Sequence, residues 1–183
     1  MMHTVKDLLP LAPKYHAWVD DLLRRHAACA RPVASAQFPR LPQFFSKEAY
    51  NSARFVVVDT LPQTPWADLG LPVPEGMDGP FAGVTYRNTY FVTPAVAGDE
   101  SLHCHEMVHV VQWRILGNDL FPLLYGQDVL AHGYQKCFLE VMARQFQAIF
   151  NKRDQVVVAE AFVTMMLGVH LPPILIKVIK GEL

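Results

Sequence analysis

A short apolar segment, LHCHEMVHVVQW at residues 102–113, carries ionisable side chains in the pattern H-E-x-x-H. These side chains belong to His105, Glu106 and His109, and most of their neighbours are Val, Met, Leu and Trp. On a helical wheel with His105 as the origin, His109 falls at about 40° and Glu106 at about 100°, whereas Arg114 falls on the opposite side. Burying two imidazoles and a carboxylate in an apolar helix is unfavourable unless they have partners. The segment therefore predicts a largely buried helix with one polar arc that faces a shared site.

The spacing of the two histidines suits a metal ion. Residues four apart lie on one helix face, so the imidazoles of His105 and His109 can bind the same ion. Zinc binds histidine nitrogens and prefers four ligands, one of them water when the site is catalytic. Glu106 lies too far round the helix to be a ligand, but it is well placed to accept a proton from bound water. The alternative is a pair of structural histidines with other hydrogen-bond partners.

The other histidines carry no such pattern. Four of them are isolated in the sequence and are expected at the surface or at the core boundary: His3, His16, His26 and His170.

A third protein ligand has to come from elsewhere in the chain. The metzincin pattern would require Gly and His at positions that hold Gln112 and Ile115, so that class is excluded. The remaining common solution is a glutamate from a later helix, and Glu140 is the only glutamate between Glu106 and Glu160. Periodicity alone also allows Glu140 to form a solvated i, i+4 pair with Arg144.

Other side chains near this region remain open alternatives. Asp128, His132 and Glu160 are rival candidates for the third ligand. His132 and Tyr134 could instead donate a hydrogen bond to an oxyanion across the cleft.

The order of the predicted elements indicates an α+β fold in a single domain, residues 1–183. A helix is expected at 14–28, a β-branched strand at 53–60, a loop rich in Pro and Gly at 61–80, and a β-hairpin at 83–93. The hairpin turn is placed at Arg87-Asn88, because Asn tolerates a left-handed conformation. Helices follow at 99–116, 133–151 and 154–168, and an amphipathic piece at 174–180 follows a break at Pro172-Pro173. A small sheet that contains antiparallel strands thus precedes a helical half.

Composition narrows the range of partners. The chain has 183 residues, 51% of them apolar, and a net charge of −1, which offers no basis for binding nucleic acid. Its three cysteines, Cys29, Cys104 and Cys137, do not form a disulfide framework or a Cys-based zinc motif. Neither a signal-peptide pattern nor a membrane-spanning run is recognised, so a cytoplasmic location is expected.

The segments HEMVHVVQW and GY…FLEVMAR together resemble the small gluzincin metallopeptidases, the minigluzincin-like group. The resemblance covers residues 82–147 and is specific in the two helices. It implies that His105, His109 and Glu140 bind Zn²⁺ and that Glu106 is the general base of a zinc peptidase. Ala143 matches the small residue that follows the third ligand, whereas Met142 departs from the second acidic residue that such helices often carry.

In such a peptidase the substrate is a peptide or protein. An extended substrate would pair with an exposed edge of the hairpin by strand addition. The residues expected to take part are Gly83, Val84, Thr85 and Tyr86.

Two functions without catalysis remain as alternatives. The first is a zinc-binding scaffold or regulatory domain without turnover, and the second is an interaction protein without metal. The tail at 172–183 is read either as a packing helix or as a segment that covers the cleft. Cys104 and Cys137 are read as core residues, with a thiolate ligand or redox switch as the alternative.

Overall fold

The computed structural model of the chain describes residues 4–152 and 155–180, with side chains as far as Leu171. The predicted α+β class is confirmed. The helices are α1 (Val5–Leu8), α2 (Ala12–His26), α3 (Leu41–Phe44), α4 (Lys47–Ser52), α5 (Glu100–His132), α6 (Phe138–Lys152) and α7 (Ala159–Lys180). The strands are β1 (Arg31–Pro32), β2 (Arg54–Val57), β3 (Gly83–Tyr86) and β4 (Thr89–Val92). No helix in the described part of the chain is long and apolar enough to cross a membrane.

The four strands form one mixed sheet in the order β1-β2-β4-β3. The hairpin pairs β3 and β4 antiparallel, with Val84 opposite Phe91, whereas β2 runs parallel to β4. This order places β3 at one edge of the sheet. The connection from β2 to β3 is the predicted loop rich in Pro and Gly, which has no strand or helix of its own.

The hairpin turn falls at the predicted residues but with a different backbone conformation. The positive φ, 57°, belongs to Arg87 and not to Asn88. Asn88 is tied to the neighbouring strand, because its carbonyl accepts from the Arg54 N–H and its side-chain amide donates to the Ser52 carbonyl. The left-handed conformation therefore shifts to Arg87, whose guanidinium is held by Asp20 at 2.5 Å.

Helix α5 continues well beyond the predicted end at residue 116. It breaks at Gly117 (φ 78°, ψ 173°) and then resumes as far as His132. Pro122 and Gly126 disfavour a helix in this second part, so the local sequence does not predict it. Pro122 removes one backbone hydrogen bond from this second segment. Burial of Phe121, Leu124 and Val129 in the core offsets that loss and stabilises the helix.

The first part of α5 lies inside the molecule. Its apolar side chains pack between the sheet and helices α6 and α7 in a single large core. Members of that core include Tyr90 and Val92 from the sheet, Met107 and Val110 from α5, and Leu139 and Phe146 from α6. Arg114 reaches the surface, where it bonds Glu48 at 2.7 Å and Ser52 at 3.1 Å, as the wheel predicts.

The predicted helix break at Pro172-Pro173 is wrong, because α7 runs through both prolines to Lys180. Proline lacks the N–H that would bond the carbonyl four residues earlier. The carbonyls affected belong to Gly168 and Val169, which are exposed, so water can replace the lost bonds. The proposed cleft-covering role of 172–183 concerns side chains outside those that the structure describes.

Candidate metal centre

Four reactive side chains from two helices meet in the interior. His105, Glu106 and His109 lie on α5, and Glu140 lies in the first turn of α6. All four are buried, with exposed fractions between 3% and 7%. Among the described residues, His105, His109 and Glu140 form the one group that can hold a metal ion.

The distances within this group fit a tetrahedral ion. The Nε2 atoms of His105 and His109 lie 3.2 Å apart. Glu140 Oε2 is 3.4 Å from His105 Nε2, and Glu140 Oε1 is 3.4 Å from His109 Nε2. Ligand atoms at zinc distances of about 2.0–2.1 Å on a tetrahedron are separated by about 3.3–3.4 Å. The two Glu140 distances involve different carboxylate oxygens. With one donor atom from each side chain, the three atoms lie within 4.8 Å of one another, which is close enough for a single ion.

One polar atom of this group also lacks a hydrogen-bond partner among the described residues. Glu140 Oε2 is buried and has no hydrogen-bond partner among the described residues, although Arg144 Nη1 lies 3.7 Å away. A buried carboxylate oxygen without a hydrogen bond is costly. A bound cation would remove that cost, so the donor set and its environment both fit a metal ion.

Without a metal, His109 and Glu140 form a pair of opposite charges within the group. Burial alone would lower the pKa of His109, but the Glu140 carboxylate raises this pKa to about 9. Burial alone would raise the pKa of Glu140, but the neighbouring His109 and His105 hold it well below its usual value. In the metal-free protein a proton on His109 thus takes the place of the cation.

Gln112 orients the second histidine. Its amide nitrogen donates to the Leu139 carbonyl at 2.9 Å, which leaves its oxygen to face His109 Nδ1 at 2.8 Å. That oxygen can only accept, so Nδ1 carries the hydrogen and the Nε2 lone pair is available to a metal. The sulfur of Met142 contacts the same amide nitrogen at 3.4 Å.

Tyr125 supports the third candidate ligand, a contact that the sequence patterns do not predict. Its hydroxyl donates to Glu140 Oε1 at 2.9 Å, and burial raises its pKa, so it remains protonated. Tyr125 lies in the second part of α5, beyond the Gly117 break. No spacing rule connects a tyrosine in that unpredicted helix with a glutamate in α6.

Strand β3 holds Glu106 from the other side. Thr85 Oγ1 donates to Glu106 Oε2 at 2.6 Å. Gly83 permits the close approach, since a Cβ at that position would lie 2.8 Å from Glu106 Cδ and nearer still to Oε1. Burial raises the pKa of Glu106, although His105, His109 and the Thr85 hydrogen bond offset part of this effect.

A partly open cavity of about 60 Å³ gives access to the group. All four residues of β3 that were expected to contact substrate line it: Gly83, Val84, Thr85 and Tyr86. Tyr134 lines it as well, with its ring against Phe81 at a centroid distance of 4.9 Å. Burial raises the pKa of Tyr134, so its hydroxyl keeps its hydrogen.

The rival candidates lie elsewhere. His132 does not line the cavity; its side chain is 59% exposed and lies 3.8 Å from Asp128. The Asp128 carboxylate accepts a hydrogen bond from the N–H of Phe138, the first residue of α6, at 2.5 Å. Glu160 accepts from the Ser46 hydroxyl at 2.6 Å.

Neither buried cysteine joins the group. Cys104 and Cys137 are fully buried, and burial raises the pKa of both thiols. Buried neutral thiols of this kind behave as small apolar core residues.

Comparison with protein-family models, with curated proteins and with solved structures finds no match for this chain. The interpretation of the site therefore rests on its residues and their geometry.

Proposed function

We propose that this chain is a zinc peptidase of the gluzincin type, which hydrolyses peptide bonds with Glu106 as general base. The observation that carries the proposal is the buried group of His105, His109 and Glu140, which can offer one ligand atom each within 4.8 Å of one another. Two imidazoles and one carboxylate are a donor set that catalytic zinc sites use, with the fourth position left to water. The resemblance of HEMVHVVQW and FLEVMAR to small gluzincins supports the same conclusion.

Zinc bound by these residues would act as a Lewis acid toward a water molecule and the scissile carbonyl. Glu106 would accept the proton of that water and pass it to the leaving amine. Thr85 occupies Glu106 Oε2 and so leaves Oε1 to take the proton.

Residues of the cavity wall would stabilise the oxyanion and bind the peptide. Tyr134 keeps its hydroxyl hydrogen beside Glu140 and would donate it to the developing oxyanion. β3 is an edge strand that borders the cavity, so an extended peptide can add to its free side through main-chain hydrogen bonds.

Metal analysis together with a peptidase assay tests the proposal. We expect near-stoichiometric zinc in the purified protein, and its loss in the His109→Ala and Glu140→Ala variants. Glu106→Gln should retain the metal and lose peptide cleavage by a factor of at least about one hundred, the lower range for a general base. Glu48→Gln, at an exposed site that faces Arg114, is the matched control and should behave as wild type.

Each outcome has a defined meaning. Retention of zinc in Glu140→Ala would contradict the ligand assignment. Zinc binding without cleavage of any peptide would favour the scaffold or regulatory domain without turnover. Undiminished cleavage by Glu106→Gln would refute the role of this glutamate.

A further inference from the structure

Tyr134, the proposed oxyanion donor, lies in a turn that is too short to fix the position of its side chain. This turn is the short 3₁₀ helix Tyr134–Lys136, which follows Gly133 with φ 77° and ψ 166°. So few residues form too few helical hydrogen bonds to be stable alone. The N–H of Tyr134 donates to the Glu75 carbonyl at 2.8 Å, which anchors the backbone of the turn. The side chain therefore needs contacts of its own to stay in place at the cavity.

Arg144 on α6 contacts this turn, the Tyr134 ring and the Glu140 carboxylate. Its Nη2 donates to the Gln135 carbonyl at 2.5 Å. Its guanidinium carbon lies 5.6 Å from the centre of the Tyr134 ring, within the distance of about 6 Å at which an aromatic face attracts a cation. Its Nη1 lies 3.7 Å from Glu140 Oε2. One side chain thus connects the proposed oxyanion donor with the helix that carries the third candidate ligand.

The chemistry of arginine suits this position. The guanidinium is planar, stays charged and holds its N–H donors in a fixed fork, so it can bond a carbonyl and lie against a ring at the same time. Phe81 also packs against the Tyr134 ring, with a centroid distance of 4.9 Å and an interplanar angle of 72°. Contact with both Phe81 and Arg144 restricts rotation of the Tyr134 side chain.

Arg144 can affect a bound substrate only through a neighbour. It is not among the residues that line the cavity, and its side chain is 33% exposed. As a support for the Glu140 ligand the guanidinium is poorly suited, because a cation 3.7 Å from Glu140 Oε2 repels a bound metal ion. Tyr134 lines the cavity and is therefore the neighbour through which Arg144 can act.

We propose that Arg144 is a positioning residue for peptide hydrolysis, and that it holds the Tyr134 ring so that the hydroxyl can donate to the developing oxyanion. The inference rests on the proposed peptidase function and adds to it a residue that acts on the reaction through Tyr134. Loss of the guanidinium should therefore slow turnover and leave metal binding intact.

A double-mutant cycle on kcat tests this role. Arg144→Met keeps an unbranched side chain and removes the guanidinium, whereas Tyr134→Phe removes the hydroxyl and keeps the ring. We expect Arg144→Met to lower kcat about tenfold, the lower end of the range for residues that support a site, with KM little changed. Tyr134→Phe should lower kcat at least as much. The double variant should remain within about twofold of Tyr134→Phe, because the two residues act as one unit.

Two further measurements separate positioning from other effects. The zinc affinity of Arg144→Met, measured by competition with a chelator, should equal or exceed that of wild type. Lys136→Met is the matched control, since it removes a positive charge at an exposed position of the same turn, and its kcat should match wild type. Circular dichroism checks that each variant folds, and Arg144→Gln replaces Arg144→Met if the latter does not.

Three results would overturn the proposal and leave the peptidase function intact. The first is an unchanged kcat in Arg144→Met, or a loss as large in Lys136→Met. The second is a double variant in which the two losses multiply, since Arg144 would then act independently of Tyr134. The third is a lower zinc affinity in Arg144→Met, which would indicate a role through the metal ligand.

If wild type cleaves no peptide, the peptidase function fails, and urea unfolding of the metal-free protein still decides whether Arg144 holds Tyr134. For this second cycle Tyr134→Ala removes the ring and is combined with Arg144→Met. Changes in the free energy of unfolding that are not additive support the contact, and additive changes refute it.

Discussion

At the scale of single residues, three of the reactive side chains are each oriented by a hydrogen bond to a polar neighbour. Glu106, His109 and Glu140 would otherwise be free to rotate within a small buried space. Their partners are Thr85, Gln112 and Tyr125. Such supporting hydrogen bonds hold ligands and bases in their working orientation, and their removal commonly lowers metal affinity 10- to 100-fold.

Thr85 provides the first prediction. Thr85→Val keeps the shape of the side chain and removes the donor to Glu106 Oε2, a loss of about 1.5–3 kcal/mol for a hydrogen bond to a charged group. We expect kcat for peptide cleavage to fall roughly tenfold, with KM and zinc content little changed. Thr85→Ser should recover most of the activity.

Thr89→Val is the matched control for that change. Thr89 is similarly buried on the adjacent strand, but among the described residues its hydroxyl bonds only Asn88. Equal losses in both variants would indicate damage to the sheet and would contradict a positioning role for Thr85.

Tyr125 provides the second prediction. Tyr125→Phe removes the hydrogen bond to Glu140 Oε1 and leaves the ring in place. Zinc affinity, measured by competition with a chelator, should fall by about tenfold, the lower end of the range for such supporting contacts. Tyr50→Phe, a buried core site, should not change the affinity, and an unaltered affinity in Tyr125→Phe would rule out its role.

At the scale of secondary-structure elements, the site depends on two unusual backbone positions. Gly83 lets β3 approach α5 closely enough for contact with the Glu106 carboxylate. Gly117 interrupts α5 with φ 78° and ψ 173°, a conformation that is almost exclusive to glycine. The break redirects the second part of the helix, which carries Tyr125 to Glu140.

Replacement of Gly117 and of Gly168 by alanine should therefore change the free energy of unfolding in opposite directions. Gly117→Ala should lower the free energy of unfolding by about 1–3 kcal/mol, because alanine is strained in that conformation. Gly168→Ala should raise it by about 0.5–1 kcal/mol, since this glycine lies in α7 with no neighbour to clash with the added methyl group. Urea unfolding of both variants measures the difference, and two changes of the same sign would argue against the strained break.

At the scale of the whole molecule, the metal-free site links stability to pH. The pKa of His109 in the folded protein is about 9. A histidine in an unfolded chain has a pKa of about 6.5. A raised folded-state pKa stabilises the protein fully below the unfolded value, and this stabilisation is lost as pH rises through the folded value. The pKa of Glu106 is also raised in the folded protein. Its contribution to stability therefore likewise decreases as pH rises above the pKa of a glutamate in the unfolded chain.

We therefore expect the melting temperature of the chelator-treated protein to decrease between pH 6.5 and 9. Added zinc should reverse this trend, because zinc needs the neutral imidazole of His109 and competes with its proton. The zinc-induced increase in melting temperature should then grow with pH over the same interval. Differential scanning calorimetry with and without chelator measures both, and a metal-free melting temperature that rises with pH would contradict the linked His109–Glu140 pair.

Much of the architecture is predictable from local patterns. The α+β class, the hairpin and the first part of α5 follow from hydrophobic periodicity and turn residues, which act over a few positions. The pair of histidines follows equally from the geometry of one helix turn. The second part of α5 does not, because Pro122 and Gly126 argue locally against a helix that tertiary packing stabilises.

The sequence alone thus determined which residues can meet on α5: His105 and His109 on one arc, with Glu106 beside them. Only the tertiary structure decided between a solvated Glu140–Arg144 pair and a buried Glu140 that faces both histidines. It also brought Tyr125 to Glu140 and the Thr85 hydroxyl to Glu106, and it placed His132 outside the cavity. The physical reason is that a helix fixes the spacing of its own side chains, whereas contacts between helices and strands depend on how their apolar faces pack, over separations that no local pattern encodes.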